Sequence, residues 1–275
     1  MVKGEVFYLD NTLCSADQWN EGLETGTVVY EVLRIVDGVP LFYLDHYQRL
    51  MNSCQLVGKK GQLDKDQLFT NMVTLAAENN LLIGNVMLKV IFSQSAGFPY
   101  ETPRTLLYFI PHSYPSDQQY ITGVDVGILK AERQNPEAKV EQGVRNIANK
   151  ILTESTLFEV LLVDREGYIT EGSKSNMVFV KNEVLYTCPL SKVLTGITLL
   201  KVIEIAEKEN ISLKFTAVPL KQLHEFDALF ITGTSPKILP VRRVGEIQFD
   251  VNNQLMRFLM EKYNYLLQFD ISKRS

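Results

Sequence analysis

Three short polar signatures in the second half of the chain carry the residue types that chemistry needs: Thr170-Glu171-Gly172-Ser173-Lys174-Ser175-Asn176, Thr195-Gly196-Ile197-Thr198 and Thr232-Gly233-Thr234-Ser235. Each stands at the edge of a predicted strand or helix, and Lys139 lies upstream of all three. The second signature opens an apolar helix, where free backbone amides bind phosphate through both geometry and dipole; the amides of Ile197 and Thr198 are the ones so placed. The third ends the apolar strand Ala228 to Ile231, where glycine lets backbone approach a ligand closely and the hydroxyls supply donors. Taken singly, each has an ordinary structural reading. A threonine cap before an apolar helix is common, Thr232-Gly233-Thr234-Ser235 leads into Pro236 as a strand-end turn, Glu171 follows a turn at Asp164 to Gly167, and Lys139 sits in a polar turn after Asn135-Pro136.

Other chemistries find no footing. His46, His112 and His224 are widely separated, with no partner at metal-ligand spacing. There is no nucleophile elbow, no Walker loop and no dinucleotide glycine fingerprint. Lys plus Arg total 28 against 32 for Asp plus Glu, without a basic run, which argues for a small-molecule substrate and against nucleic acid. Cys14, Cys54 and Cys188 are an odd count at unrelated spacings, which fits a reducing cytoplasm. Lys3 and Glu5 interrupt anything like a signal-peptide core, and no apolar run approaches membrane-spanning length.

The elements that must position these residues alternate between strands and helices. A chain of 275 residues with 45% hydrophobic composition can build two modest domains or one large one. From Thr27 to Leu44 two strands around Asp37-Gly38 predict a hairpin. A helix follows, capped by Asp45, with Tyr47, Leu50, Met51, Cys54 and Leu56 as its apolar face. A second helix spans about Asp64 to Asn79, then strands Val86 to Ser93 and Thr105 to His112. Ser113 to Thr122 is polar and poor in periodicity and reads as an interdomain linker. The expected division is a domain at 1–115, a linker at 116–122 and a domain at 123–275. Beyond the linker, strands near Val124 to Leu129, Glu159 to Asp164, Met177 to Val180, Val184 to Thr187 and Ala228 to Thr232 alternate with helices at about Val140 to Leu157, Ile197 to Glu209 and Val251 to Leu267.

Taken together and in order, from about Tyr30 to Val241, these features resemble the fold type IV, or class IV, pyridoxal-phosphate enzymes: branched-chain and D-amino-acid aminotransferases and aminodeoxychorismate lyase. The resemblance implies an α/β protein of α+β type, with a small N-terminal α/β domain, a larger C-terminal cofactor-binding domain, pyridoxal 5'-phosphate in the cleft between them, and a homodimer. It makes Lys139 the catalytic Schiff-base lysine, ahead of a long helix, and Glu171, which follows by 32 residues, the acid beside the pyridine nitrogen. A carboxylate there favours the protonated ring and strengthens it as an electron sink. Lys150 competes for the lysine role but lies mid-helix, only 21 residues before Glu171. Arg145 aligns with the lysine through Asn149, but a guanidinium cannot form the aldimine. Ser175 and Asn176 join the cofactor site through the Glu-Gly motif, although Lys174 occupies a position that is often small. Gly196, Ile197, Thr198 and Thr234 hold the phosphate, and Arg49, in His46-Tyr47-Gln48-Arg49-Leu50, reaches it from the first domain. Tyr30, Arg34, Lys89 and Ser235 match substrate-side positions.

The resemblance implies transamination between an amino acid of the branched-chain or D-amino-acid class and a 2-oxo acid. The alternative is the lyase, which releases pyruvate and 4-aminobenzoate, and a third reading is a catalytically idle relative. Substrate-side signals are mixed. Phe92-Ser93-Gln94-Ser95 lacks the arginine and histidine of the D-amino-acid enzymes, and Gly143-Val144 replaces the asparagine-tyrosine pair of the branched-chain enzymes. Leu88-Lys89-Val90-Ile91 resembles the lyase.

Overall fold

A computed structural model describes residues 3–59, 63–92, 103–132, 137–139 and 143–273. The chain divides into two compact units: Met1–Ser113 with Ala138–Glu141 and Leu267–Ser275, and Tyr114–Glu137 with Gln142–Leu266. The turn at Asn135-Pro136, the helix start at Val140 and the substrate-side positions 93–95 fall outside the described residues.

In the first unit, six strands among the described residues form one antiparallel sheet in the order Thr12–Ser15, Lys3–Leu9, Arg104–Ile110, Gly84–Phe92, Thr27–Val36, Val39–Pro40. Side chains of a strand alternate between faces. Val29, Leu33 and Ile35 therefore join Val86, Leu88, Val90, Leu107 and Phe109 in one core, covered by the helices Tyr43–Leu56 and Lys65–Glu78. On the other face Phe7, Ile91, Leu106 and Tyr108 pack with Trp19, whose ring centroid lies 5.2 Å from that of Phe7 and 4.6 Å from that of Tyr108.

The Asp37-Gly38 turn forms with both residues at positive φ, 52° and 77°, as a tight hairpin turn needs. Its second strand is shorter than the sequence suggests, just Val39–Pro40. Leu41 adds one more hydrogen bond, to Arg34 O at 2.9 Å, and Phe42 then turns left-handed at φ 48° to start the helix. Phe42, not Asp45, is therefore the N-cap residue. Its amide donates to Asp270 Oδ2 at 2.6 Å, while Asp45 sits in the first turn, where a negative charge suits the helix dipole. The helix also differs in which face it buries: His46 and Ser53 are buried and Leu56 is 57% exposed.

In the second unit, ten strands among the described residues form one mixed sheet. Val124–Lys130 lies at its centre, parallel to both Lys237–Val244 and Glu159–Val163. Tyr168–Gly172 is antiparallel to Glu159–Val163, and Asn176–Lys181 to Ala228–Gly233. The core includes Val126, Leu161, Val163, Ile169, Met177, Leu229, Ile231 and Val241. Lys237–Val244 is a strand that the sequence hides, because Pro240 interrupts its apolar run; Pro240 lies opposite Phe230.

The segment expected to be a linker holds a short helix. Asp117–Thr122 is capped by Ser116, whose hydroxyl accepts from Gln119 N at 3.3 Å while the Gln119 carboxamide accepts from Ser116 N at 2.9 Å. That reciprocal box offsets the polar composition. The helices Gly143–Thr153, Ile197–Lys208 and Gln254–Ser272 follow. No helix among the described residues is long and apolar enough to cross a membrane, and no group of three His, Cys, Asp or Glu side chains among them could hold a metal ion.

Candidate functional site

In the first unit, Lys139 is held at the sheet edge. Val39–Pro40 covers the strand Thr27–Val36 only at Ile35 and Val36, which leaves the Tyr30 edge open. Tyr30 N donates to Lys139 O at 3.2 Å, and Lys139 N donates to Ser53 Oγ at 3.3 Å. The Lys139 ammonium sits 5.2 Å from the centre of the Tyr30 ring, within reach of a cation–π attraction. Lys150, by contrast, is exposed in the last turn of Gly143–Thr153.

Tyr30, Arg34 and Lys89 share the face of the sheet opposite Val29 and Leu33. Tyr30 is paired across the strands with Lys89, and Arg34 with Asn85. Lys89 is 5% exposed and donates to Glu24 Oε2 at 2.6 Å, while the Tyr108 hydroxyl donates to Glu24 Oε1 at 3.2 Å.

Glu31 points to the other face, into the core, and meets the helix Tyr43–Leu56. Its carboxylate accepts from Arg49 Nε at 2.8 Å and Arg49 Nη2 at 2.6 Å, and His46 Nδ1 stands 2.8 Å away. Burial acts to raise the Glu31 carboxyl, but the charge and hydrogen bonds of Arg49, with the His46 bond, outweigh it and hold Glu31 well below the usual carboxylate range. Burial lowers the imidazole of His46; Glu31 opposes this, while the charges of Arg49 and Lys139 add to it. His46 is accordingly neutral at pH 7, and because an ionised carboxylate only accepts, its Nδ1 carries the proton.

In the second unit, Glu171 is 3% exposed in the strand Tyr168–Gly172. The loop that follows it is pinned by Glu159, which accepts from Ser173 N, Ser173 Oγ, Lys174 N and Ser175 Oγ at 3.1, 2.5, 3.1 and 2.8 Å. Asn176 spans from the loop to the helix Ile197–Lys208: its Nδ2 donates to Leu194 O at 2.8 Å and its Oδ1 accepts from Gly196 N at 3.0 Å. Ser175 Oγ and the Asn176 carboxamide thus order the loop and the helix start.

Gly196 is the N-cap of Ile197–Lys208 and brings no capping side chain, so the first-turn amides keep their outward direction. A Cβ on Gly196 would lie 2.4 Å from Asn176 Oδ1, which explains glycine here. Thr198 is buried, its hydroxyl 3.3 Å from that of Tyr263. Thr232 Oγ1 is buried without a hydrogen-bond partner among the described residues, and the half-buried Thr234 and Ser235 follow in the same turn. An uncapped helix start and an orphaned buried hydroxyl are features that can receive an anion.

A cavity of about 1040 Å³ in this unit is lined by Lys130, Glu132, Asp164, Arg165, Tyr168 and Lys221, among others, but by none of the predicted site residues. The sequence singles out neither Glu31, Ser53 nor Glu159; His46 is weighed there only as a metal ligand and set aside, and Thr232 enters only as part of its signature. Two left a trace: Glu31 falls in the inward phase of its strand with Val29 and Leu33, and Glu159 opens an otherwise all-apolar strand.

Comparison with known proteins identifies the family that this chain resembles. Residues 28–244 match the family model for amino-transferase class IV. The chain is 29% identical over 250 residues to the D-alanine aminotransferase of Bacillus licheniformis, covering 86% of this chain and 85% of that one. Its fold is similar to the crystal structure of Escherichia coli branched-chain amino acid aminotransferase, with a TM-score of 0.82 at 21% identity over 96% and 95% of the two chains. A putative 4-amino-4-deoxychorismate lyase of Legionella pneumophila has a similar fold, with a TM-score of 0.76 at 22% identity over 89% and 91%.

Proposed function

The chain belongs to the class IV aminotransferases, and from that premise we propose that it uses pyridoxal 5'-phosphate to exchange an amino group between an amino acid of the D-alanine or branched-chain class and a 2-oxo acid. The observation that carries this reading is the ordering of Lys139 by Tyr30 and Ser53.

When bound, pyridoxal phosphate takes up the amino group covalently and delocalises the electron pair left at the substrate Cα. The chain's own residues do the rest. The uncapped amides of Ile197 and Thr198, with the hydroxyls of Thr232 and Thr234, would hold the phosphate, whose negative charge the helix dipole favours. Glu171, buried at its strand end, would be the acid beside the pyridine nitrogen and would favour its protonated form. Lys139 would be the residue that holds the cofactor, and its Nζ, when free as an amine, would be the base that takes and returns the substrate Cα proton. Tyr30 bounds the movement of that amine. Arg34 and Lys89, on the Tyr30 face, and Ser235 serve the substrate side. Arg49 gives Nε and Nη2 to Glu31, and this pair braces the helix Tyr43–Leu56 against the strand that carries Tyr30.

A second reading, lyase cleavage of aminodeoxychorismate, is favoured by the Lys89 strand and by the fold shared with the Legionella pneumophila protein. One experiment separates the two. Purified protein loaded with pyridoxal phosphate is given D-alanine, L-leucine or aminodeoxychorismate, and the visible band and products are followed. The proposal expects an amino acid to convert the band to the pyridoxamine form with accumulation of its 2-oxo acid; pyruvate and an aromatic amine from aminodeoxychorismate alone would establish the lyase.

A further inference from the structure

Glu159 opens the strand Glu159–Val163, every residue of which is buried, and is itself 4% exposed. A carboxylate in such a place needs strong compensation. The compensation is local and one-sided. Oε1 accepts from Val160 N at 2.9 Å, Ser173 N at 3.1 Å and Ser173 Oγ at 2.5 Å, and Oε2 from Lys174 N at 3.1 Å and Ser175 Oγ at 2.8 Å. Four of these donors come from the three residues after Gly172. Two successive amides flanked by hydroxyls make the kind of nest that elsewhere captures an anion; here the chain fills it with its own side chain. Gly172 permits the closure, since a Cβ there would stand 2.2 Å from Ser175 Oγ and 3.1 Å from Glu159 Cδ.

The clamped turn has two ends. One is Glu171, and the other is Asn176, which brackets Leu194 O and Gly196 N at the start of Ile197–Lys208. We propose that Glu159 is a positioning residue: by gathering Ser173, Lys174 and Ser175 it sets Glu171 and, through Asn176, the phosphate-holding helix start in one fixed relation. The inference rests on the cofactor reading above. It assigns Glu159 no contact with cofactor or substrate.

The test is Glu159→Gln. A carboxamide replaces one acceptor oxygen with a donor, so whichever way it turns the clamp loses an acceptor, either for the Lys174 amide or for the Val160 and Ser173 amides, of which Ser173 N keeps its bond to Val160 O. The expected result is a cofactor dissociation constant raised about tenfold or more and a shifted pH midpoint for the visible band, with substrate KM little changed. Ser175→Ala, which removes one hydroxyl donor and leaves the backbone intact, gives a smaller rise. Combined with Glu159→Gln it adds less than it does alone, because both act on one clamp. Ser175→Ala alone carries the test if Glu159→Gln fails to fold. If wild type binds pyridoxal phosphate and the folded variants match it in affinity and band titration, differing only in apoprotein melting temperature, Glu159 is merely structural and the proposal is overturned. A wild type that binds no pyridoxal phosphate overturns the cofactor reading itself.

Discussion

Arg49 meets Glu31 as a two-pronged pair, Nε to Oε1 at 2.8 Å and Nη2 to Oε2 at 2.6 Å, with the carboxylate 1% exposed and the guanidinium 12% exposed. A bidentate pair of this kind is both strong and directional. It lies on the core face of the strand that carries Tyr30 on its opposite face, so the pair braces the strand against which Lys139 is held.

Removing one partner of such a pair leaves a buried charge uncompensated. Glu31→Ala is expected to cost about 3–5 kcal/mol of stability, read as a lower urea midpoint, whereas a Glu31→Ala/Arg49→Met double variant recovers part of that loss. Equal loss in both variants would show that the pair is not coupled.

The same cluster sets an acid limit. Burial, followed by the charges of Arg49 and Lys139, lowers His46 from its ordinary 6.5 despite Glu31. The unfolded chain therefore binds this proton first, and stability falls as pH drops below about 6.5. Glu31 is also depressed: burial would raise it, but Arg49 and His46 prevail. Its contribution is present above about 4.5 and is lost as pH falls further. Urea unfolding across pH 7 to 4 should show both losses, and His46→Gln should remove most of the upper one. His112, also lowered by burial, leaves a residue of that slope. A wild-type midpoint that rises on acidification would contradict the assignment.

Lys89 is held by Glu24 on the Tyr30 face. Glu24→Gln releases its charge toward the substrate side. The expected outcome is a KM for 2-oxoglutarate, which carries a second carboxylate, lowered about 3- to 10-fold, with little change for pyruvate. An unchanged KM for both acids would place Lys89 away from the substrate.

What was legible in the sequence were features that announce themselves locally. The helix Ile197–Lys208 starts where Gly196 and the apolar run put it, and the Asp37-Gly38 turn has the dihedrals that its residues favour. The buried polar partners were not legible, because Glu31 finds His46 and Arg49, and Glu159 finds Ser173 and Ser175, only through tertiary packing. Two elements were hidden for local reasons. Pro240 masks a strand whose neighbours Leu239 and Val241 are fully buried, and the polar stretch ending at Thr122 conceals the Ser116–Gln119 capping box.

The central claim is that Lys139 is the lysine that carries the cofactor. Protein saturated with pyridoxal phosphate is reduced with borohydride, digested and mapped by mass spectrometry, with Lys139→Ala treated in parallel. The account predicts the reduced adduct on the peptide containing Lys139, and in the variant loss of both the adduct and nearly all turnover. An adduct on Lys150 or another lysine, or a Lys139→Ala variant that keeps its visible band and its activity, would contradict it.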